Sequence, residues 1–313
     1  MDLTESVPAG ASVLVTGAPG FVGSRLACHL AARGFDVHAI VRPASRLEQL
    51  SSCADQIRVH VHDGTMNGLV GIVRAATPRV VFHAAARVIA EHQPDEVGPL
   101  MQSNLAFGAQ LLEAMSAVNV PFMVNTGTAW QHFNNSNYDP TTLYAATKQA
   151  FEDIIQYYVS VKPLRVATIK LYDLYGPADP RPKLLTLVER AARTGDELDL
   201  TKGEQLIDMV YIDDVLDAYV AAWSFLESSG SERHAIFALS SGASVTIREL
   251  VATYASILAR PIHVNWGAKP YRSREIMRPW TGGRPLPGWS PRVSLRDGLS
   301  RCAAAIVSAG QGS

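Results

Sequence analysis

The sequence has few of the features that stabilise a protein without a large core. It contains three cysteines, Cys28, Cys53 and Cys302, in 313 residues. Their number is odd and they lie far apart in the chain, without the paired spacing of a zinc site or the density of a secreted disulfide framework. We therefore expect unpaired cysteines, a reducing compartment and no bound metal.

Long apolar runs and an excess of one charge are also missing. The 28 basic and 29 acidic residues give a net charge of -1, so no overall field attracts nucleic acid or an anionic membrane. Residues Met1 to Gly10 carry two acids and no base, which is the wrong polarity for a secretory or transit signal. No uncharged apolar run reaches the roughly 18 residues that cross a bilayer. These absences predict a cytoplasmic protein.

What remains is the composition of a soluble globular chain, 47% apolar and 18% charged, with a length typical of about two lobes. Short β-branched runs alternate with longer helical patterns, which predicts βαβ units on a parallel sheet. The predicted strands are 12–16, 37–41, 57–61, 80–82, 122–126 and 165–170, and the predicted helices are 21–33, 97–118 and 142–161.

A glycine-rich turn joins the first predicted strand to the first predicted helix. Glycines three apart allow a sharp turn, close packing of helix on strand, and approach of a pyrophosphate to the helix N-terminus. The position of the turn inside a βαβ pattern therefore favours a dinucleotide site over a merely tight turn. The candidate cofactor residues of this segment are Gly17, Gly20, Phe21, Val22 and Gly23.

The end of the second strand bears on the choice of dinucleotide. An acid at this position bonds the ribose 2′-hydroxyl of NAD, whereas a 2′-phosphate requires a cation. Here the strand ends in Arg42, with Arg46 shortly after, and the only acid nearby, Asp36, is at the opposite end. NADP(H) is favoured and NAD(H) stays open, as does an ordinary solvated Arg42.

Tyr144 and Lys148 lie four residues apart, on one face of a predicted helix. A phenol exchanges protons at neutral pH only if its anion is stabilised, and an ammonium one turn away provides such a field. The fifth strand ends nearby at the edge where ligands of such sheets bind. Its Thr126 is our first choice for a hydroxyl that bonds the substrate oxygen, and Thr128 is the second; capping of a turn is the alternative for Thr126.

Together these segments resemble the extended short-chain dehydrogenases/reductases, in the NAD-dependent epimerase/dehydratase branch that acts on nucleotide sugars. The resemblance covers nearly the whole chain, and the order of its motifs is more specific than any single one. It implies a catalytic trio of Thr126, Tyr144 and Lys148. It also implies that further residues contact the cofactor or support it, namely Asp63, Gly64, Ala84, Ala85, Ala86, Asn104 and Tyr172.

The resemblance predicts an α/β fold with a Rossmann-type doubly wound parallel sheet and a smaller C-terminal substrate-binding lobe. Prolines become frequent from about Tyr175 onward. We therefore expect residues 1–174 to form the dinucleotide-binding domain and 175–313 to form mainly the substrate lobe, with later segments returning to the first domain. Relatives commonly pair two helices into a dimer, so a homodimer through 97–118 and 142–161 is expected.

Departures from the family pattern narrow the reaction. Dehydratases of the family follow their threonine with an acid pair, whereas Gly127 and Thr128 follow Thr126 here, so dehydration is not expected. The cation at Arg42 favours NADPH and therefore net reduction. Asp173 replaces the usual asparagine, and Ile207 stands where arginine is common.

The second lobe offers cations for an anionic substrate: Arg181, Lys183, Arg274 and Arg278. Solvated surface charge explains each of them equally well when taken singly. Trp289 is expected to close a hydrophobic core rather than to stack on a base. His132 either lines the sugar pocket or is simply solvated.

The primary hypothesis is an NADPH-dependent ketoreductase acting on a nucleoside-diphosphate 4-keto-6-deoxy sugar. An NAD-dependent nucleotide-sugar 4-epimerase is the alternative within the same class. A non-catalytic, NADP(H)-binding regulator is the rival from another class, although a regulator has no need of the Tyr144 and Lys148 pair.

Overall fold

A computed structural model of the protein describes residues 7–228, 230 and 232–310. The strands in chain order are β1 (Ser12–Thr16), β2 (Asp36–Val41), β3 (Ile57–Val61), β4 (Val80–His83), β5 (Phe122–Thr128), β6 (Arg165–Leu171), β7 (Asp173–Tyr175), β8 (Leu198–Leu200), β9 (Leu206–Tyr211), β10 (His234–Leu239), β11 (Ser244–Thr246) and β12 (Val264–Trp266). The helices are α1 (Phe21–Ala32), α2 (Met66–Ala76), α3 (Val97–Met101), α4 (Phe107–Val118), α5 (Leu143–Val161), α6 (Leu184–Thr194), α7 (Ile212–Ser228), α8 (Ile247–Leu258) and α9 (Leu295–Gly310).

Seven parallel strands form the main sheet in the order β10-β6-β5-β4-β1-β2-β3. Helices α1 and α7 pack on one face, and α2, α4 and α5 pack on the other. The order in which strands are added to the sheet therefore reverses between β1 and β4. Open α/β folds bind ligands beyond the strand ends at such a point. The predicted doubly wound sheet is confirmed.

The main sheet has a hydrophobic core on each face, and apolar residues at alternate strand positions contribute to one core or the other. In β1, Val13 and Val15 enter the core under α1 and α7, whereas Leu14 enters the core under α2, α4 and α5. Successive side chains of a strand point to opposite faces, so a strand buried on both sides must be apolar throughout. Each such buried side chain contributes roughly 1.5–3 kcal/mol.

Two helices of this layer position the site. The hydroxyl of Thr142 accepts a hydrogen bond from the backbone N–H of Ala145 at 3.0 Å and so caps α5, which fixes Tyr144 in the first turn. The helix predicted over 97–118 contains a π-helical segment, Gln102–Ala106, between α3 and α4. Such segments redirect side chains at functional sites, and Asn104 lies in this one.

The second lobe contains a three-stranded sheet, β11-β9-β7, and the pair β12-β8, with α6 packed on α8. Val188, Leu250 and Tyr254 of this lobe are buried in the same continuous core as α1 and α7. The chain returns through β10, which pairs with β6 as the last strand of the main sheet. The boundary at residue 174 stays a prediction. No helix among the described residues is long and apolar enough to span a bilayer.

The expectation of unpaired cysteines is wrong for two of the three. Cys28 on α1 forms a disulfide with Cys53, with 5.4 Å between the two Cα atoms. The two cysteines are 25 positions apart in the sequence, which hides the pairing. They meet because α1 packs directly against the 3-10 segment Glu48–Gln56 that carries Cys53. Cys302 is free and buried.

Candidate active site

The glycine-rich turn leaves no room for side chains. Gly17 has φ +74°, and a Cβ added there would lie 2.6 Å from the backbone nitrogen of Ala85. A Cβ on Gly23 would lie 2.2 Å from the carbonyl oxygen of Gly17. The turn, the start of α1 and the chain after β4 therefore meet backbone to backbone, which is the cradle that a pyrophosphate requires at a helix N-terminus.

Three further candidate cofactor residues follow the carboxyl ends of β2 and β3. Arg42 directly follows β2, is exposed, and has its backbone N–H bonded to the hydroxyl of Ser45 at 3.0 Å. Asp63 follows β3 and accepts bonds from the backbone N–H and hydroxyl of Thr65, both at 2.8 Å; these bonds lower the pKa of its carboxyl group. Gly64 adopts φ +87° beside it.

Tyr144 is 7% exposed and lies under the loop that follows β5, with its ring edge-on to that of Trp130 at 6.2 Å. Burial raises the pKa of its phenol well above the ordinary value. Hydrogen bonding by Thr128 and the positive charge of Arg181 oppose that rise. These two groups therefore stabilise the phenolate in the protein without cofactor.

The two candidate threonines of β5 have different surroundings. The hydroxyl of Thr126 donates to the carbonyl oxygen of His83 at 2.8 Å and lies 2.5 Å from the phenol oxygen of Tyr219. That hydroxyl is engaged in the interior, beneath the cleft. The hydroxyl that faces Tyr144 belongs to Thr128, two residues later and at the last position of the strand.

Lys148 is 2% exposed on the same side of α5 as Tyr144. Burial lowers the pKa of its ammonium to about 8, and the carboxylate of Glu152 one turn later opposes that decrease. His83 lies close enough for the charge of Lys148 to act on it, and burial together with that charge lowers the pKa of the imidazole to about 3. Lys148 therefore faces a neutral histidine on one side and a carboxylate on the other.

Asn104 ties α5 to the chain after β4. Its amide nitrogen donates to the hydroxyl of Thr147 and to the carbonyl oxygen of Arg87, both at 3.0 Å. Its carbonyl oxygen accepts from the backbone N–H of Arg87 at 2.7 Å. The hydroxyl of Thr147 in turn donates to the carbonyl oxygen of Tyr144 at 2.7 Å. Asn104 therefore supports the turn of helix that carries the phenol.

The first two candidate substrate cations lie on the cofactor side of the cleft. The guanidinium of Arg181 pairs with both oxygens of Asp179, at 2.7 and 2.5 Å, and lies over the ring of Phe21 at 4.6 Å. Phe21 begins α1, directly after the glycine-rich turn. Lys183 is 3.7 Å from Asp173, so the acid that replaces the family asparagine is matched by a nearby cation.

The other two substrate candidates differ from each other. Arg274 pairs with Asp139 and lies over the ring of Phe133 at 4.3 Å, so this cation joins the second lobe to the loop after β5. Arg278 is exposed, and within residues 7–228, 230 and 232–310 no acid pairs with it.

One histidine and two aromatic residues were also predicted to have a role, and all three have defined partners in the structure. Trp289 packs against the core and donates its indole N–H to the carbonyl oxygen of Asp214 at 2.8 Å, in agreement with the core interpretation. The ring of His132 is buried and stacks on Trp280 at 3.7 Å, so it is not solvated. Tyr172 donates its hydroxyl to the carbonyl oxygen of Trp280 at 2.6 Å.

Comparison with known proteins decides the family. Residues 13–236 match the model of the NAD dependent epimerase/dehydratase family. The chain belongs to this family. A CDP-abequose synthase from Salmonella muenchen is 23% identical over 294 residues, covering 92% of this chain and 96% of the relative. A UDP-glucose 4-epimerase from Mycolicibacterium smegmatis is 28% identical over 307 residues, with the same coverage of both.

Solved structures agree with the family's fold. A UDP-glucose-4-epimerase from Stenotrophomonas maltophila, with bound NAD and formylated UDP-arabinopyranose, superposes with a TM-score of 0.85 at 18% identity, covering 97% of this chain and 100% of its own. The UDP-glucose 4-epimerase of Thermotoga maritima, with UDP-glucose, gives a TM-score of 0.83 at 20% identity, with 95% and 99% covered. The predictions of an extended short-chain dehydrogenase/reductase and of an enzyme are confirmed.

Sequence reasoning missed the residues behind Lys148. Glu152, Lys170 and Gln131 are all buried there. The spacing of Lys148 and Glu152, four residues apart on one helix, was a usable signal. Lys170, in an otherwise apolar strand, was a second one. Within the described part of the chain, no group of three or more His, Cys, Asp or Glu side chains is placed to hold a metal ion.

Proposed function

We propose that the protein is an NADPH-dependent ketoreductase of a nucleoside-diphosphate 4-keto-6-deoxy sugar. The observation that carries the reaction class is that Tyr144 and Lys148 are both buried on the same side of α5, and that the hydroxyl of Thr128, at the end of β5, acts on the phenol of Tyr144 by hydrogen bonding. The acid pair of dehydratases is replaced by Gly127 and Thr128, which supports reduction over dehydration.

The residues present fit a dinucleotide. Gly17, Gly20 and the first amides of α1 would hold its pyrophosphate, Arg42 a 2′-phosphate, and Asp63 the adenosine end. When bound, NADPH supplies hydride to the carbonyl carbon of the sugar. NADP(H) rather than NAD(H) is part of the proposal, and it rests on Arg42 and on the lack of a carboxylate at the end of β2.

Three side chains perform the acid–base part. Tyr144 donates its phenolic proton to the developing alkoxide. Thr128 donates a hydrogen bond to the same oxygen, and Lys148 stabilises the resulting phenolate by its charge. Because burial raises the pKa of Tyr144, the phenol is protonated at neutral pH, which suits a proton donor.

The four cations of the second lobe remain candidates for the anionic substrate. Arg181 and Lys183 already have carboxylate partners in Asp179 and Asp173, so a diphosphate would compete with those partners. Arg278 is exposed. The proposal that residues 175–313 form mainly the substrate lobe, with later segments such as β10 returning to the first domain, accompanies this placement.

A 4-epimerase is the second candidate, because a UDP-glucose 4-epimerase covers the chain as fully as the CDP-abequose synthase does. Purified protein separates the two. Oxidation of NADPH in proportion to a nucleotide 4-keto sugar consumed supports the reductase. A copurifying NAD with interconversion of two sugars and no NADPH oxidation supports the epimerase and overturns the reductase.

Replacement of Tyr144 by phenylalanine tests whether the protein is an enzyme at all. We expect turnover to fall about 10²- to 10⁴-fold, with dinucleotide affinity nearly unchanged because the cradle is untouched. Unchanged biological activity of the Tyr144→Phe protein, with no turnover in the parent protein, would instead support the non-catalytic regulator.

The homodimer also remains a proposal. Tyr157 and Val161 lie four residues apart on α5 and are 63% and 54% exposed, which is an apolar surface suited to pairing of α4 and α5 with a second copy. Sedimentation of the parent protein against Tyr157→Glu measures it directly: a dimer should become a monomer.

A further inference from the structure

Charged side chains are buried together on the α5 side of the sheet, behind β5. Lys148, Glu152 and Lys170 are each 2–3% exposed. The ammonium nitrogen of Lys170 is 3.4 Å from one carboxylate oxygen of Glu152, and the other oxygen accepts a hydrogen bond from the side-chain amide of Gln131 at 3.0 Å. Glu152 therefore pairs with Lys170 and lies one helical turn from Lys148, the lysine of the proton-transfer pair, on whose charge it acts.

An aromatic stack closes this cluster toward the second lobe. Lys170 donates to Nε2 of His132 at 2.9 Å, and Nδ1 of His132 donates to the carbonyl oxygen of Ser136 at 3.1 Å. This arrangement requires a neutral imidazole. Trp280 stacks on the other side of that imidazole at 3.7 Å, and its ring centre is 5.7 Å from the Lys170 nitrogen. Water is thereby kept from the lysine and the carboxylate.

The remaining titratable groups around the cluster are neutral. Burial is the main cause that lowers the pKa of three histidines, His83 on β4 to about 3, and His132 and His234 to about 4. The charge of Arg181 acts on Tyr144, and Tyr144 in turn acts on Tyr219. The charges that face Lys148 from α5 and β6 are therefore those of Glu152 and Lys170.

We infer that Glu152 is a positioning residue for the proton transfer: held ionised by Lys170 and Gln131, it keeps the ammonium of Lys148 charged, one helical turn from Tyr144. An ammonium taken out of water tends to lose its proton, and an adjacent carboxylate is what opposes this loss. A neutral Lys148 would offer no field to the phenolate. The inference rests on the proposed function only for the role of Tyr144.

The directions of the pKa shifts agree with this geometry. Burial lowers the pKa of Lys148 to about 8, while Glu152 raises it. Burial raises the pKa of Glu152, and the charge of Lys170 is the largest influence in the opposite direction. Removal of the Glu152 charge should therefore lower the pKa of Lys148. Removal of Lys170 should act the same way, because the isolated carboxyl group would take up a proton.

Titration of Lys148 itself tests the inference without substrate or cofactor. The rate at which a small anhydride acetylates Lys148 is followed against pH by mass spectrometry, because the neutral amine alone reacts. For the parent protein we expect a midpoint near pH 8. In Glu152→Gln, which keeps the shape and the acceptor for Gln131, the midpoint should fall by about one unit, or tenfold in proton affinity.

A carboxylate on the outer side of the same helix provides the control. Asp153 is exposed and accepts from Gln149, so Asp153→Asn makes the same change of charge and should leave the midpoint unchanged. A midpoint in Glu152→Gln that stays at the parent value, or rises, overturns the inference. An equal shift in Asp153→Asn would mean a general field and overturns it as well.

Lys170 provides an independent version of the test should Glu152→Gln not fold. Lys170→Met should shift the Lys148 midpoint in the same direction, the double variant should shift it no further, and Lys170→Arg should restore the parent value. If turnover is found, the alkaline limb of its pH profile should move with these midpoints. A uniform loss of turnover at every pH, with no movement of the limb, would show a merely structural role and contradict the inference.

Discussion

The two halves of the candidate site consist of different types of residue. The cofactor half consists of backbone and small residues, where Gly17, Gly23 and Ala85 approach one another too closely for an added Cβ. The proton-transfer half consists of long polar side chains from α5, β5 and β6, with Lys148 and Glu152 buried between them. Close packing makes the first half sensitive to volume, whereas low local dielectric makes the second half sensitive to charge.

This difference predicts how a substitution in each half should affect the protein. A change in the first half displaces a helix and removes binding. A change in the second half preserves the shape of the cleft but alters the pH at which its groups hold protons. The following predictions test that separation, in order of decreasing effect.

Gly23→Ala should have the largest effect, because its Cβ would lie 2.2 Å from the carbonyl oxygen of Gly17. We expect α1 to shift, dinucleotide affinity to fall about 100-fold or more, and stability to fall by about 1–3 kcal/mol. NADPH titration and thermal unfolding measure the two losses.

Gly71 on α2 provides the matched control, because no atom lies within 4 Å of a Cβ added there. Gly71→Ala should leave binding unchanged and raise stability by up to about 1 kcal/mol. Equal changes of affinity and stability in Gly23→Ala and Gly71→Ala would contradict the view that the cofactor half is sensitive to side-chain volume.

The two threonines of β5 should separate catalysis from stability. Thr128→Val removes the hydroxyl that faces Tyr144, and we expect turnover to fall about 10²- to 10³-fold, as for the loss of an oxyanion donor. Thr126→Val leaves a buried phenol, Tyr219, without its partner, and should cost about 1–3 kcal/mol of stability with a smaller loss of turnover. Kinetics and unfolding of both variants are needed, and the reverse pattern would restore our first choice.

Reduction of the Cys28–Cys53 disulfide should lower the free energy of unfolding by about 3 kcal/mol, since a crosslink over 25 residues restricts the unfolded chain. Thermal unfolding with and without a thiol reductant measures this. Cys53→Ser should show no response to the reductant, whereas Cys302→Ser should respond as the parent does. A parent protein that is indifferent to the reductant would contradict the crosslink.

Arg42→Glu should produce the smallest of these effects, a change of cofactor preference. We expect affinity for NADPH to fall about tenfold or more through loss of a charge-assisted contact, with little change for NADH. Arg74→Glu on α2, also exposed, provides a control of equal charge change. Equal losses for both dinucleotides would remove the argument for a 2′-phosphate at Arg42.

Local signals in the sequence predicted the glycine-rich turn and the sheet that carries it. The turn at Thr16 to Gly23 depends on backbone conformations that residues close in the chain impose, and glycine marks them directly. The parallel sheet followed from apolar runs of strand length. Helix α2 was missed, because two glycines at positions 68 and 71 weaken its pattern.

The proton-transfer half depends on contacts between distant segments, which a local pattern does not contain. Thr126 and Thr128 are two residues apart and share one face of β5, so alternation alone does not distinguish them. Their partners do: Tyr219 belongs to α7 and Tyr144 to α5. Likewise Cys28 and Cys53 meet because α1 packs beside the segment after β2.

The return of the chain through β10 has a consequence for dissecting or recombining this protein. A fragment cut after residue 174 would present β6 as a bare edge, without its neighbour β10 and without α7, whose Tyr219 and Trp223 fill the core over β4. Swapping the later half for that of a relative would therefore exchange part of the nucleotide-binding scaffold as well. Chimeras that aim to transplant sugar selectivity should graft loops and leave the strands and α7 with their original host.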